Sequence, residues 1–331
     1  MKCISTAAVI GAGIAGLACA DRLSAAGVAV TVFDKGRRPG GRVATRRTNG
    51  IQFDHGAQYA TARDAGFQAV LSDLQTRGAA APWPGFGATE ARWIGVPGMS
   101  ALPAEMAALL STRGVILHFE RHAAFLHQTQ GGWTVRHMDA RSVRPGSVMS
   151  EGGEVSARYD AVVLAIPAPQ AIPLLGALAH ADVTALQSVR YAPCWAVMAA
   201  FSERLARADA QKYDDGPLRW VARQGALPGR PATPDAWVLH ASPAWSRENL
   251  ERAADEVAAE VLAAFAPTAP PTLCLSAHRW RYALVETPLG RPCLWDENAS
   301  LGVCGDFCLG PRIEAAWQSG AALASAVVSH T

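Results

Sequence analysis

The 331-residue sequence predicts an α/β fold: a Rossmann-like dinucleotide-binding domain on a parallel sheet, with a second α+β domain built on an antiparallel sheet. Three observations predict it. The stretch Val9–Leu23, VIGAGIAGLACADRL, sets three glycines at G-x-G-x-x-G spacing between a strand-like run and a helix-like one. A continuous apolar run, VVLAIP, ends at Pro167, as a buried parallel strand would. From about Ala168 to Leu294 the texture changes to alternating, tryptophan-containing runs such as PCWAVMAAF, PLRWVAR, AWVLHAS and LSAHRWRYAL, which read as strands of an antiparallel sheet.

The opening unit has a complete physical logic. After a strand over Ala7–Ile10, Gly11 permits a tight turn, Gly13 lets the backbone approach a pyrophosphate, and Gly16 allows close helix–strand packing. The helix Ile14–Leu23 then turns its N-terminus toward the phosphate charge. The run VAVTVF ends at Asp34, 18 positions after Gly16, near the offset at which an acidic side chain meets a ribose hydroxyl. A targeting peptide competes for the same residues, because Lys2 precedes an apolar run and Ala18-Cys19-Ala20 mimics a cleavage site. Such a leader needs neither the spaced glycines nor Asp34, and Gly16 stands where a lipoprotein leader has leucine. The dinucleotide loop is the better account.

The rest follows in order. Residues 35–61 are rich in Gly and Arg without helical periodicity and read as an ordered loop. Phe67, Val70, Leu71 and Leu74 mark a helix that Gly78 stops, before a turn-rich stretch to Trp93. Ser100 caps a helix carrying Leu102, Met106, Leu109 and Leu110. VILHFE, AAFLHQ and WTVRH are strands, the last two joined at Gly131-Gly132, and 138–154 is a polar excursion. SRENLERAADEVAAEVLAAF reads as one amphipathic helix, and the chain re-enters the first domain with SLGVCGD and a helix from about Pro311 to Val328. The nucleotide domain is therefore expected at 1–75, 96–167 and 295–331, and the second domain at 76–95 and 168–294.

Composition bounds the function. Half of the residues are hydrophobic, yet no run beyond the N-terminal one approaches ~18 apolar residues, so a soluble, cytoplasmic protein with no membrane partner is expected. A net charge of +2 without a basic block argues against nucleic acid. Seven cysteines include no C-x-x-C pair, and no histidine neighbours Cys304 or Cys308; reduced thiols and no metal site are expected. Only three of the 30 basic residues are lysines, Lys2, Lys35 and Lys212, which limits the available chemistry.

Two further motifs narrow the cofactor: Gly40-Gly41-Arg42 shortly after Asp34, and Gly305-Asp306 before LGPRIEAAWQSG. With these the sequence resembles the FAD-binding domain of the glutathione-reductase-like flavoproteins, in the branch containing amine oxidases, phytoene desaturases and renalases. The resemblance implies that Arg42 lies over the pyrophosphate, Asp306 holds the ribityl chain, and the backbone at Ile313 and Glu314 faces the flavin pyrimidine edge. It further implies Gly11, Gly13, Ile14, Ala15, Gly16, Asp34, Lys35, Gly41, Ala57, Gln58, Ala123 and Gly305 as cofactor-binding positions. FAD is expected to be non-covalent, since the spacing around Cys308 does not match an attachment site.

Within this branch, DKGRRPGGRVATRR, DHGAQYATAR, RWIGVPGMSALP, LAIPAPQA, YAPCWAVM, WVLHASPAWS, HRWRYA and AWQSG are most similar to the renalases, across both domains. That similarity implies an oxidase of 2- and 6-dihydro isomers of NAD(P), with O2 as acceptor and hydrogen peroxide as product. Candidate substrate-side residues are Tyr59, His240, Trp280 and Tyr282; each is equally readable as core packing. Trp280 and Tyr282 share a strand phase, while Arg279 and Arg281 on the other face read as solvated or salt-bridged rather than catalytic. The alternatives are an amine oxidase, a desaturase or porphyrinogen-type oxidase, and a flavin-bound redox sensor without turnover.

Overall fold

The computed structural model describes residues 3–84, 91–143, 152–176 and 182–329. Contacts divide the chain into two units: residues 1–41, 103–190 and 287–331, and residues 42–102 and 191–286. Residues 42–75 and 96–102 thus group with the second unit, and 168–190 and 287–294 with the first, unlike the boundaries expected from the sequence. The reason is local: the segments on either side of Arg42 pair within separate sheets, which a linear change of texture does not reveal.

The first unit holds a six-stranded sheet in the order Leu294–Asp296, Leu301–Val303, Ala161–Leu164, Thr6–Ile10, Ala29–Phe33, Ile116–His118. All its pairings are parallel except that of the two last strands in sequence, Leu294–Asp296 with Leu301–Val303. Ala7, Ala8, Val9 and Val162 to Leu164 are fully buried, which explains their uninterrupted apolar runs. Helices Ile14–Ala25 and Ile313–Ser329 pack so closely that a Cβ on Gly320 would stand 2.0 Å from the Ala15 carbonyl oxygen. A smaller sheet of Arg121–Thr129, Gly132–Asp139 and Glu154–Val155 completes the unit. Part of the expected polar excursion, residues 144–151, lies outside the described residues.

The second unit is built on a five-stranded sheet: Ala210–Lys212, Leu218–Arg223, Asp235–Ala241, Arg190–Phe201, Thr272–Thr287. Strand alternation gives it two faces. Trp195, Val197, Trp237 and Leu239 meet helix Ala254–Phe265 on one face, with the Trp237 and Phe265 rings 4.9 Å apart. Met198, Ala200, Ala236, Val238 and Cys274 meet Phe53 on the other.

Two expectations fail here. The expected loop at 35–61 contains a hairpin, Arg46–Thr48 with Ile51–Phe53, turned by Asn49 and Gly50 at φ 52° and 76°. Both residues have the positive φ of a primed two-residue turn, and Asn-Gly is its sequence signature. The expected single helix at 246–265 is two, Pro243–Glu248 and Ala254–Phe265, and Glu251 in the break between them pairs with Arg279 and Arg281. Among the described residues no helix is long and apolar enough to cross a membrane.

Candidate active site

In the first unit the glycine loop follows its strand as the spacing requires. Gly11 adopts φ 110°, and a Cβ there would stand 2.5 Å from the Ala165 carbonyl oxygen. A Cβ on Gly16 would stand 1.9 Å from the Gly11 carbonyl oxygen, so both positions exclude any side chain. At Gly13 the space is open, with nothing within 4 Å of its Cβ position, directly ahead of the helix that begins at Ile14 and Ala15. Gly41, at φ 55°, approaches this residue: its Cβ would lie 3.9 Å from the Gly13 Cα.

Asp34 has a role beyond the one its spacing suggests. Its two carboxylate oxygens accept from the Ala12 and Gly36 backbone N–H groups, each at 2.6 Å, so it ties the glycine loop to the end of the second strand. Burial pushes its pKa up, against those two hydrogen bonds and the Lys35 charge. A carboxylate with one amide on each oxygen retains lone pairs for a ribose hydroxyl. The neighbouring Lys35 ammonium donates to Gln170 Oε1 at 3.2 Å. Asp34→Ala is expected to weaken FAD binding by ~1.5–3 kcal/mol, the scale of hydrogen bonds to a charged group. Titration of the apoprotein with FAD measures it, and unchanged affinity removes Asp34 from the site.

At the far end of the same unit, strand Leu301–Val303 runs into Gly305 and buried Asp306. The Gly305 N–H donates to Ser319 Oγ on the final helix at 2.9 Å, fixing the turn against that helix. The helix starts at Ile313, and buried Glu314 pairs with Arg312 at 3.3 Å. Ala123 lies buried on strand Arg121–Thr129. Cys308 is fully buried and its thiol is pushed up to about 12, chiefly by burial.

The second unit gathers the other candidates on one sheet face. His240 follows Val238 on the face that meets Phe53, and Trp220 stands opposite it in the strand register. Segment 53–59 is pinned beside them. The buried Asp54 carboxylate accepts from Arg230, from the Met99 N–H at 2.9 Å and from Thr45 Oγ1 at 2.5 Å, and the Asp54 N–H donates to Gln224 Oε1 at 2.9 Å. Gln58 donates to the Asp54 carbonyl, and the Ala57 N–H to the Arg42 carbonyl at 3.0 Å. The Arg42 guanidinium itself lies 3.4 and 3.3 Å from the Tyr282 and Ala283 carbonyl oxygens.

That segment presents the His55 carbonyl to two donors, Trp280 Nε1 at 2.9 Å and His240 Nε2 at 3.2 Å. The His55 ring stacks on Trp280, centroids 5.2 Å apart, and meets His278 edge-on at 5.0 Å; His278 lies 4.3 Å from Trp280. Arg46 donates to His278 Nδ1 at 3.3 Å. Tyr282 packs against Tyr191, and Tyr59 lies between Trp83 and Trp220 with the Arg92 guanidinium 4.8 Å from its ring. Of the two readings left open for Arg279 and Arg281, the salt-bridged one holds: both pair with Glu251.

Burial is the first cause that depresses all three imidazoles: His55 to about 3, His240 to about 4 and His278 to about 4. Nearby Arg46 adds to the effect on His55 and His278. The three rings are neutral at pH 7. Below their unfolded value of 6.5 the unfolded chain binds protons that the folded state refuses, so their contribution is complete above pH 6.5 and lost on acidification toward 4. We expect the urea midpoint to fall between pH 7.5 and 5, with His55 alone contributing up to ~1.4 kcal/mol per pH unit below 6.5. In His55→Phe the fall is shallower; an identical profile would show that His55 is not a buried neutral ring.

Comparison with known proteins settles the family. Residues 67–327 match the model for flavin containing amine oxidoreductases, and residues 9–74 match that for an NAD(P)-binding Rossmann-like domain. The chain belongs to the flavin-containing amine oxidoreductase family. Protoporphyrinogen oxidase 2 of Arabidopsis thaliana is 40% identical over 70 residues, 21% of this chain and 14% of that protein. A phytoene desaturase (neurosporene-forming) of Rhodobacter capsulatus is 50% identical over 58 residues, 18% of this chain and 11% of that protein. The chain therefore matches only a small part of these curated relatives. A solved structure from Exiguobacterium sp. 255-15 superposes with a TM-score of 0.74 at 12% identity, covering 100% of both chains. Putrescine oxidase bound to putrescine gives 0.67 at 14%, covering 98% of this chain and 99% of that one. These structures share the fold.

FAD is the cofactor of this amine oxidoreductase-family chain. The first unit fits it. Open space at Gly13 beside a helix N-terminus, two further glycines that admit no side chain, and an acidic residue at the second strand's end are what a dinucleotide pyrophosphate and ribose require. Sequence reasoning missed His55, His278 and the Asp54–Arg230 pair. His278 shares the strand phase of Trp280 and His55 stands inside DHGAQY, so both were readable; Arg230, 176 positions from Asp54, carries no local signature.

Proposed function

We propose that this chain is an FAD-dependent oxidase of the renalase type, oxidising 2- and 6-dihydro isomers of NAD(P) to β-NAD(P)+ and reducing O2 to hydrogen peroxide. FAD, held non-covalently, supplies a two-electron acceptor that takes the hydride and is reoxidised by O2. Gly11, Gly13, Gly16 and Gly41 leave room for its pyrophosphate, Asp34 is the ribose acceptor, and Asp306 is the ribityl ligand.

The observation that carries the reading is the neutral imidazole–indole cluster of His55, His240, His278 and Trp280. The groups acting electrostatically on these histidines are Arg46 and the histidines themselves. Among the described residues, no carboxylate acts on these rings as a counter-ion for an alkylammonium. A dihydropyridine needs none: it is flat, matches aromatic faces, and regenerates an aromatic ring on hydride loss. The amine-oxidase alternative is supported by the structural likeness to putrescine oxidase, but an amine must shed its proton before oxidation, and among the described residues no carboxylate acts on these rings.

Product stoichiometry tests the proposal. One O2 consumed, one hydrogen peroxide and one β-NAD(P)+ formed per isomer oxidised is expected. Stoichiometric aldehyde from a primary amine, with the isomers inert, would replace it with the amine-oxidase reading. Because the three imidazoles remain neutral, the rate of flavin reduction should be flat between about pH 5.5 and 8.

A further inference from the structure

His55 is the most buried ring of the cluster, only 6% exposed, and among the described residues its Nδ1 has no hydrogen-bond partner. The Ala44 backbone acts on the ring in the opposite sense to burial, favouring a proton on it. A neutral imidazole has one donor and one acceptor nitrogen, so with the proton on Nε2 the unpartnered Nδ1 is a lone-pair acceptor. The backbone of the same residue is fully engaged, since its carbonyl takes N–H groups from both Trp280 and His240. The ring cannot easily turn away: it is stacked on Trp280, met edge-on by His278, and its segment is pinned by the Asp54 network. A buried acceptor held in place without a donor costs roughly 1–3 kcal/mol unless a ligand or water completes it.

We propose that His55 Nδ1 is a specificity-determining acceptor for an amide N–H of the substrate, the 3-carboxamide of a dihydronicotinamide ring lying against Trp280. The proposal rests on the renalase-type reading above and adds to it the group by which the ring is recognised. A carboxamide supplies the N–H donor that this site lacks, and a flat ring suits the indole beside it. Alkylamines and polyenes offer no comparable amide.

The test compares each dihydro isomer of NAD with its 3-acetylpyridine analogue, which keeps the carbonyl and ring but has no amide N–H. Anaerobic flavin reduction is measured with wild type, His55→Phe and His55→Gln. Wild type should favour the carboxamide by about tenfold or more in kcat/KM. His55→Phe, which keeps an aromatic ring against Trp280, should bring the ratio near one, and His55→Gln, which keeps an acceptor, should restore part of it. The ratio is internal to each variant and independent of how much of it folds. Should His55→Phe fail to fold, the wild type still decides: the 15N resonance of Nδ1 should move upfield with β-NAD+ and not with its acetylpyridine analogue. No preference in wild type, a preference unchanged in His55→Phe, or an Nδ1 resonance blind to both dinucleotides assigns the acceptor to water and overturns the inference. Those results leave the renalase-type reading standing if the isomers reduce the flavin; isomers that fail in wild type overturn both.

Discussion

Gly13→Val is expected to give a soluble, folded, colourless protein that retains no FAD. Gly13 has φ −75° and ψ 177°, a conformation that valine adopts, and nothing lies within 4 Å of its Cβ position, so the fold itself does not object. The added methyl groups would instead fill the space ahead of the helix N-terminus that a pyrophosphate needs. The neighbouring positions behave differently. Gly16→Ala would drive a Cβ to 1.9 Å from the Gly11 carbonyl oxygen and should cost folding outright. Circular dichroism, the thermal midpoint of the stripped protein and flavin absorbance separate the two outcomes. A yellow, fully loaded Gly13→Val variant would remove this loop from the cofactor site.

Arg230→Met should destabilise the second unit by ~3–5 kcal/mol, the cost of leaving one half of a buried ion pair alone. Arg230 Nη2 bonds Asp54, its Nε lies 3.1 Å from the same carboxylate, and both side chains are at most 1% exposed. Removing the cation strands the Asp54 charge against Thr45 and the Met99 N–H, with no access to water. Adding Asp54→Asn should recover part of the loss, because the pair is then absent rather than broken. Since Asp54 precedes His55 and its network holds Gln58, flavin reduction in Arg230→Met should fall by more than its loss of folded protein explains. A midpoint shift under ~1 kcal/mol in urea would show that the pair does not organise this segment.

How much was legible follows the range of the interaction. Gly11, Gly13, Gly16 and Asp34 could be read because a strand–loop–helix unit is local, and each glycine answers to a steric demand within a few residues. The Asn49-Gly50 hairpin was equally local; the absence of helical periodicity around it was read as absence of structure. The second role of Asp34 depends on 2.6 Å contacts that spacing cannot express. On the sheet of the second unit, alternation correctly placed Arg279 and Arg281 opposite Trp280. It could not show that Trp280 and His240 converge on one carbonyl, 225 and 185 residues away in sequence. The boundary after Arg42 escaped because composition changes gradually there while sheet pairing changes at once.

The most direct measurement of the central claim is rapid anaerobic mixing of the FAD-loaded protein with separate 2-, 4- and 6-dihydro isomers of NAD(P) and with simple primary amines, following flavin absorbance. The account predicts fast bleaching by the 2- and 6-dihydro isomers, slow bleaching by the ordinary 4-dihydro form, none by amines, and return of the yellow colour on admitting air. Fast, saturable bleaching by an amine, with the 2- and 6-dihydro isomers inert, would contradict it.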